Sequence, residues 1–338
     1  MKVFTRIKET LSILLLVIAM VGCGGGNSVI NDIGGEDDPT EETQKPPTTG
    51  GEEDNDDSEN PSEDTQTPPT AGGEDTDTDT NPLNINANIG GEKYAHRIEI
   101  PRLNDDDYFL TRTTTVNGKE NITYSISFNT ERQHSRWVAF TFDNSNRNKK
   151  VDRSNNFQAD PDFLGEYTMT SQQINNNGYQ RGHLVASYDR VYSRAANEQT
   201  FYMSNISPQI GKFNTGIWND LEYKINENGS GWGCNASFAD TLYVVKGGTI
   251  AEGQYTTKGS CPTVPRYYFM ALLRLKDRSY SGIAFCFEHK SSHSGSVSSY
   301  AMTIDELEEF TGIDFFCNLN DRLENAVEST ISKDVWGL

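Results

Sequence analysis

The composition of the chain changes abruptly near residue 91, and this change confines any packed fold to the C-terminal part. Residues 1–90 contain four Lys or Arg residues against nineteen Asp or Glu residues, so they carry −15 of the chain's net charge of −20. From Gly24 to Gly91 apolar residues are few, while Pro, Thr, Gly and Asp are common. Such a segment buries too little apolar surface to offset the entropy of ordering it. We therefore expect residues 23–91 to form an acidic disordered linker and residues 92–338 to form one domain.

The expected linker contains an internal repeat. Glu41–Thr48 (EETQKPPT) returns 22 residues later as Glu63–Thr70 (EDTQTPPT), and Gly-Gly-Glu follows each copy after one residue. Two copies without aromatic or aliphatic residues cannot stack into a solenoid. They are typical of a self-repelling, extended tether. An acidic recognition tail is the alternative interpretation.

The first residues resemble a secretory signal. Lys2, Arg6 and Lys8 precede an apolar run, Leu11–Val21, which is interrupted only by Ser12. This run is shorter than the roughly 20 residues that a membrane-spanning helix needs. Because a small residue and Cys23 follow it, residues 1–22 resemble a bacterial lipoprotein signal peptide with cleavage before Cys23. Lipid on Cys23 would hold the protein at a membrane of the cell envelope, on the outer membrane or cell surface or on the periplasmic face. An ordinary signal peptide with an incidental cysteine is the alternative.

The C-terminal part predicts an α+β fold with a mostly antiparallel sheet flanked by helices. Apolar and polar residues alternate from Ile122 to Phe128, as in a half-buried strand. Further strands are predicted over Arg136–Phe142, Leu242–Val245, Tyr267–Leu275 and Ile283–Phe287. Helices are predicted over Glu198–Met203, Asn214–Tyr223 and Thr303–Phe310, the last with a capping box of Thr303 and Glu306. Strands and helices do not alternate regularly, which favours antiparallel pairing.

Four cysteines remain in the expected domain: Cys234, Cys261, Cys286 and Cys317. Their spacing matches no zinc motif, and a compartment beyond the inner membrane is oxidising. Four cysteines allow three disulfide pairings. Proximity in sequence favours Cys234 with Cys261 and Cys286 with Cys317, while free buried thiols are the alternative.

A group of polar residues within Gln180–Glu222 suits metal-assisted phosphodiester hydrolysis. Tyr179–Leu184 (YQRGHL) supplies His183, which at its ordinary pKa near 6.5 is largely neutral at pH 7 and can accept a proton. Asn214 offers a hard oxygen to a cation such as Mg²⁺, which keeps several waters and needs few protein ligands. Glu222 follows eight residues later, so a helix over residues 214–223 would place both side chains near one face. The other four histidines lie in no comparable group.

Three segments resemble, in order and spacing, the motifs of DNA/RNA non-specific endonucleases of the ββα-metal group. Family members have Asp-Arg-Gly-His, Asn-x-x-Pro-Gln and Asn-x-x-x-Trp-x-x-Leu-Glu. This chain has Arg181–His183 (RGH), Asn205–Gln209 (NISPQ) and Asn214–Glu222 (NTGIWNDLE). The resemblance extends from about residue 121 to about residue 325 and includes Phe310–Phe316 (FTGIDFF).

The resemblance implies a ββα-metal active site that hydrolyses DNA and RNA with Mg²⁺, or alternatively Mn²⁺ or Ca²⁺. His183 would be the general base, and Asn214 the one direct protein ligand of the metal. Glu222 would hold metal-bound water, and Asn205 would brace the site. Arg181 would lie near the phosphate, and Arg153 is the candidate for a second arginine that the family places upstream.

The chain departs from the family pattern at Gln180, which stands where the motif has aspartate. This exchange removes a negative charge beside the site, although a glutamine carbonyl still accepts a hydrogen bond. Two hypotheses follow: a lipid-anchored, metal-dependent nuclease, or a surface binding protein on a catalytically degenerate nuclease fold. A structural envelope lipoprotein explains none of these residues. A cluster of Arg147, Lys149, Lys150 and Arg153 is either a solvated loop or a phosphate-contact surface.

Overall fold

The computed structural model describes residues 84–163, 167–226 and 230–338. Cys23, the expected signal peptide and most of the expected linker lie outside these residues. Within them, no helix has both the length and the apolar character needed to cross a bilayer.

The centre of the fold is a seven-stranded antiparallel sheet with the order β1-β2-β3-β6-β9-β10-β11. Its strands are β1 (Tyr108–Val116), β2 (Lys119–Asn129), β3 (His134–Phe142), β6 (Thr241–Gly248), β9 (Tyr267–Lys276), β10 (Ser279–Glu288) and β11 (Ala301–Met302). Two ribbons lie outside this sheet, β4 (Gln180–His183) with β5 (Ile206–Gln209) and β7 (Tyr255–Lys258) with β8 (Cys261–Pro265). All five predicted strands are present.

Both faces of the sheet are covered by hydrophobic cores. Val138, Val244 and Leu272 point to one face, where they join Trp218 and Leu221 in a cluster of buried residues. The next residues along the same strands point to the other face and pack with the helix that contains Ile304 and Leu307. Because side chains of a strand alternate between faces, strands covered on both sides are apolar throughout.

Seven α-helices lie around the sheet: α1 (Ser171–Asn176), α2 (Arg194–Gln199), α3 (Gly211–Asn214), α4 (Ile217–Ile225), α5 (Ile304–Thr311), α6 (Asp321–Glu328) and α7 (Lys333–Trp336) among the described residues. The prediction for α5 is confirmed, including its capping box, in which Thr303 and Glu306 each bond the other's backbone N–H. Gly312 then ends the helix with a left-handed backbone at φ 68°. The fold is therefore α+β, with an antiparallel sheet flanked by helices.

Two predicted helices differ from the structure. A helix over Glu198–Met203 is wrong, because α2 begins after the N-cap Ser193 and ends at Gln199. A continuous helix over Asn214–Tyr223 is also wrong. Gly216 has φ −111° and ψ −122°, which interrupts the helical backbone between α3 and α4. Asn214 therefore ends one helix and Glu222 lies in the next, so they do not share a helix face.

The last residues of the expected linker, 84–91, make hydrogen bonds to the C-terminal segment. Ile85 N–H donates to Asp321 Oδ1 at 3.0 Å, and Asn88 N–H donates to Asn318 Oδ1 at 3.1 Å. The amide of Asn88 also donates to the carbonyls of Ala95 and Pro101, each at 3.1 Å.

The structure has none of the disulfides expected from sequence proximity. Cys234, Cys261, Cys286 and Cys317 are all free thiols. Cys261 lies in a small cluster with Met169 and Ile174, whereas Cys234 packs against the core that contains Trp218. Cys234 and Cys261 thus lie in different hydrophobic clusters. Burial raises the pKa of Cys234 to about 11 and of Cys286 to about 12. Such thiols resist ionisation and oxidation.

A buried ion pair ties the β1 strand to the segment that precedes α1. The Arg112 guanidinium donates to Asp160 and Asp162, and Asp160 also accepts from Ser204 Oγ. The side chain of Arg112 is 4 % exposed and that of Asp160 is fully buried. This network fixes the chain on both sides of the ribbon β4–β5.

Arg112→Ala is expected to lower the free energy of unfolding by about 3–5 kcal/mol, because removing one partner leaves a buried charge uncompensated. Urea unfolding followed by circular dichroism measures the change. Lys93→Ala, which removes an exposed partner of Glu120, is the matched control and should leave the midpoint unchanged. A loss below about 1 kcal/mol for Arg112→Ala would show that water replaces the guanidinium.

Candidate active site

The site is built on the ribbon β4–β5, whose strands pair antiparallel with His183 opposite Ile206 and Gly182 opposite Ser207. Ser207 Oγ bonds His134 Nε2 and Tyr268 Oη, each at 2.6 Å, which joins the ribbon to the central sheet. Gly182 has no space for a side chain, since a Cβ there would lie 2.1 Å from Gln209 Oε1. The glycine of the motif is therefore required by close packing within the ribbon.

Asn205 fixes the chain that leaves His183. Its Oδ1 accepts from Val185 N–H at 2.9 Å, and its Nδ2 donates to Val185 O at 3.0 Å and to Thr200 O at 2.7 Å. The side chain is fully buried, and all of these bonds are to backbone groups. Asn205 thus joins the segment that follows β4 to the segment that precedes β5. This structural role involves no cation.

The imidazole of His183 packs against two phenylalanine rings, Phe157 and Phe201, whose centroids lie 5.1 Å apart. Its centroid is 4.9 Å from that of Phe201, edge to face, and 5.4 Å from that of Phe157. Arg181 lies 4.0 Å from the Phe157 centroid, and Arg153 lies 5.1 Å from the Phe201 centroid. The structure therefore brings His183, Arg181 and Arg153 into one group, in which each arginine contacts a ring that also contacts the imidazole.

Burial keeps His183 neutral. The residue is 8 % exposed, and its Nε2 has no hydrogen-bond partner among the described residues. Burial, followed by the positive charges of Arg153, Lys246 and Arg181, holds the pKa of His183 well below its ordinary value. A neutral imidazole is the form that accepts a proton.

Asn214 is oriented by Gln180. Asn214 Nδ2 donates to Gln180 Oε1 at 2.9 Å, which leaves the side-chain oxygen of Asn214 available to a cation. The start of α3 is held by His289, whose Nε2 accepts from Ile210 N–H at 2.7 Å while its Nδ1 bonds Pro265 O at 3.0 Å. Gln180 thus provides the acceptor that the aspartate of the family motif would provide.

Glu222, which is half-buried, contacts a buried charged pair of Lys246 and Asp189 on the same side of the sheet. Its carboxylate bonds Lys246 Nζ, and Lys246 lies 4.0 Å from Asp189 Oδ2. Burial raises the pKa of Glu222 and of Asp189, and the positive charge of Lys246 opposes that rise in both. Lys246 is fully buried and is also one of the charges that lower the pKa of His183, so it connects Glu222 electrostatically to the imidazole.

These residues fit a hard divalent cation. An amide oxygen and a carboxylate are oxygen donors of the kind that Mg²⁺ and similar ions accept. Asn214 would hold the ion directly, and Glu222 would hold its waters. The ion would act as a Lewis acid toward the phosphate oxygens and would stabilise the leaving group.

Several residues of the site were not singled out by the sequence. Lys246 forms an ion pair with Glu222 and lies 4.0 Å from Asp189. His289 holds the start of α3, although no motif surrounds this histidine in the sequence. Lys246 carries a usable signal: a lysine directly after the apolar run Leu242–Val245 is unusual at the buried end of a strand. Arg147 is a correction to the expected basic cluster, since its buried guanidinium donates to the carbonyls of Ala239 and Asp240.

The chain is similar to known nucleases in sequence and to a solved structure in fold. A nuclease of Nostoc sp. is 27 % identical over 241 residues, which are 68 % of this chain and 81 % of that protein. Nuclease C1 of Cunninghamella echinulata is 27 % identical over 216 residues, 60 % of this chain and 83 % of that protein. In the solved structure of the EndoG/EndoGI complex, a chain superposes with a TM-score of 0.52 at 21 % identity, covering 63 % of this chain and 89 % of that one.

The family model described as DNA/RNA non-specific endonuclease matches residues 106–322, more than half of the chain. The match contains the ribbon β4–β5, helices α3 and α4 and Lys246. ββα-metal nucleases of this family use a divalent metal. The chain therefore belongs to the DNA/RNA non-specific endonuclease family and is a nuclease, an enzyme that hydrolyses nucleic acids.

Proposed function

We propose that the protein is an Mg²⁺-dependent endonuclease that cuts DNA and RNA with little sequence preference, with His183 as general base and Asn214 as metal ligand. The observation that carries the proposal is that β4 holds both the buried, neutral His183 and Gln180, which accepts a hydrogen bond from the amide of Asn214. His183 can accept a proton, and Asn214 presents an oxygen to a cation. Both groups lie on elements of the matched family region.

In the proposed reaction, His183 accepts a proton from the water that attacks phosphorus. The Phe157 and Phe201 rings hold the imidazole in place, so little reorganisation is needed when the proton arrives. Mg²⁺ supplies Lewis acidity toward the phosphate when it is bound. Sequence is not read in this arrangement, because the groups involved address the phosphate and the water alone.

The positive residues near His183 would meet the phosphate backbone. Arg181 and Arg153 are the arginines beside the imidazole, and Lys149 and Lys150 are exposed in the preceding segment. A guanidinium pairs with phosphate oxygens through two parallel N–H groups, and a lysine adds a point charge. The exposed members of the basic cluster are therefore assigned to substrate contact, whereas Arg147 is structural.

Glu222 is assigned to the waters of the cation, with Lys246 as the residue that keeps it charged. The ammonium of Lys246 opposes the effect of burial on the pKa of Glu222. Without Lys246 the carboxyl would be more readily protonated and would lose its value as an acceptor. Asp189 balances the charge of Lys246 from the other side at 4.0 Å.

Conversion of supercoiled plasmid to nicked circles tests the endonuclease proposal. The full chain should nick plasmid and degrade ribosomal RNA when Mg²⁺ is present, and EDTA should stop both. Release of mononucleotides from linear DNA with no nicking of circles would show an exonuclease instead. Binding of DNA in a gel shift without cleavage at any Mg²⁺ concentration would support the alternative hypothesis. That hypothesis, suggested by Gln180 in place of aspartate, is a binding protein on a catalytically degenerate nuclease fold.

We also propose that the protein is a lipoprotein, anchored to an envelope membrane through Cys23 after removal of residues 1–22. The support is the basic start, the short apolar run and the Gly-Cys junction. The acidic segment up to residue 91 would then separate the nuclease domain from the membrane.

Cys23→Ser should move the nuclease from the membrane pellet to the soluble fraction, because the lipid is attached through the thiol. Fractionation by ultracentrifugation and immunoblotting measures the shift. Cys234→Ser, which removes a free thiol in the domain, should leave the protein in the membrane pellet. Persistent sedimentation of the Cys23→Ser protein would place the membrane attachment elsewhere.

A further inference from the structure

Three carboxylates meet between α5 and α6, on the face of the sheet opposite the nuclease site. They belong to Asp305 and Glu308, which are three residues apart on α5, and to Glu328 at the end of α6. One oxygen of each lies within 4.8 Å of the others. The flanking Leu307 and Val327 belong to the core of that face, so the position of both helices is set by packing.

Glu328 is the unusual member of this group. It is 4 % exposed, and its Oε1 has no hydrogen-bond partner among the described residues. The neighbouring Glu324 is also buried, but it accepts from Asn86 Nδ2 at 2.8 Å. Buried polar atoms are almost always paired, so a buried carboxylate that has an unpaired oxygen and lies beside other carboxylates indicates a missing partner.

The missing partner should be positive. In the described residues, no Lys or Arg forms a salt bridge with Asp305, Glu308 or Glu328. Among the described residues, the carboxylate of Glu308 accepts one hydrogen bond, from Phe315 N–H at 2.6 Å. Burial, followed by the charges of Glu308 and Glu324, raises the pKa of Glu328 to about 10, which reflects how costly this cluster is without a counter-charge.

We propose that Asp305, Glu308 and Glu328 form a binding site for a calcium ion that joins α5 to α6 and stabilises the domain. A buried Glu328 that has one unpaired oxygen, and whose carboxylate lies within 4.8 Å of two further carboxylates, is the feature that carries this assignment. The site is separate from the nuclease centre and does not depend on the proposed reaction.

Calcium fits this group better than magnesium. Ca²⁺ accepts six to eight oxygen ligands at about 2.3–2.6 Å in a flexible geometry and takes carboxylates in one- or two-oxygen contact. Oxygens within 4.8 Å of one another can contact one ion at such distances. Mg²⁺ demands a near-octahedral shell and retains its water. Asp305 is exposed, so water can complete the shell and the ion has a route of entry.

Thermal unfolding of the full chain tests the proposal. Asn214→Ala serves as the background, so that a cation at the nuclease centre does not contribute. CaCl₂ at about a hundred times the dissociation constant should raise the Tm by roughly 5–10 °C over the EDTA-treated protein. Isothermal titration with CaCl₂ in the same background should give one ion per chain, and MgCl₂ should have the smaller effect.

Glu328→Gln should abolish the calcium-dependent rise in Tm, and Glu309→Gln should preserve it. Glu309 is the matched control, because it lies on α5 beside Glu308 but is exposed and outside the group. Asp305→Asn, an exposed substitution, replaces Glu328→Gln if the latter fails to fold. The proposal is overturned if calcium leaves the Tm unchanged, if the variants within the group respond as the background does, or if magnesium stabilises more than calcium.

Nuclease activity separates this proposal from the proposed function. Glu328→Gln in the otherwise unaltered chain should cleave plasmid in Mg²⁺ at the rate of the parent protein below the temperature at which it unfolds. An inactive parent that still binds calcium would leave the calcium site standing while the nuclease mechanism fails.

Discussion

His183→Ala is expected to lower plasmid cleavage by about 10²–10⁴-fold, the usual loss when a general base is removed. The variant should remain folded, because the Nε2 of the imidazole has no hydrogen-bond partner among the described residues and the ring packs against Phe157 and Phe201. Initial nicking rates and the circular dichroism spectrum measure the two outcomes. His96→Ala removes an exposed histidine before β1 and should cleave as the parent does.

Added imidazole should restore part of the activity of His183→Ala and none of that of other inactive variants. Rescue identifies a missing base, since a small soluble base can enter the space that the side chain left. A folded His183→Ala protein with near-parental activity would contradict the assignment of the base.

The pH profile follows from the same environment. His183 must be neutral to accept a proton, and its pKa lies well below the ordinary 6.5 because of burial and then of Arg153, Lys246 and Arg181. Activity should therefore stay level as the pH falls through 6.5 and decline only at lower pH. Arg153→Ala removes one positive charge, which raises the pKa of His183, so the acid limb should move to higher pH.

Asn214→Ala is expected to lower cleavage by at least about 100-fold at a fixed, low Mg²⁺ concentration. Loss of an outer-shell residue typically costs 10–100-fold, and the direct ligand should cost no less. A titration of cleavage rate against Mg²⁺ measures the change, which should appear as a higher Mg²⁺ requirement. Asn176→Ala, an exposed asparagine at the end of α1, is the matched control.

The bond from Asn214 to Gln180 gives an intermediate case. Gln180→Ala should leave the ligand in place without its orienting acceptor, so the Mg²⁺ requirement should lie between those of the parent and Asn214→Ala. Equal Mg²⁺ curves for Asn214→Ala and the parent would show that Asn214 does not bind the metal.

The strands of the sheet were predictable because their residues must be apolar on one or both faces. Apolar and polar residues alternate over Ile122–Phe128, and Tyr267–Leu275 is nearly continuous in apolar residues. Both predicted strands lie inside longer observed strands. The ends of the helices near the site were less predictable. Gly216 interrupts the run from Asn214 to Glu222 through a backbone conformation that composition does not reveal.

The sequence predicted some of the residues that form the site. His183, Asn205 and Asn214 belong to motifs, and the structure gathers them around one ribbon and the helix that follows it. Lys246 and His289 come from the distant strand β6 and the end of β10, and only the fold brings them to Glu222 and Ile210. The predicted pairing of Cys234 with Cys261 is wrong for a similar reason, because the fold places these neighbours in sequence in different hydrophobic clusters.

The two cores of the domain share their strands, so they cannot loosen one at a time. Residues such as Val244 and Val245 are adjacent in β6 but belong to opposite cores. Loss of packing around α5 would therefore reach the nuclease face through the strands themselves. We expect conditions that weaken the α5–α6 side to shorten the lifetime of the enzyme at elevated temperature while its turnover in the cold stays the same. Substitutions on the α5–α6 side of the sheet would then change the heat resistance of the enzyme, and substitutions on the nuclease side would change its catalytic rate.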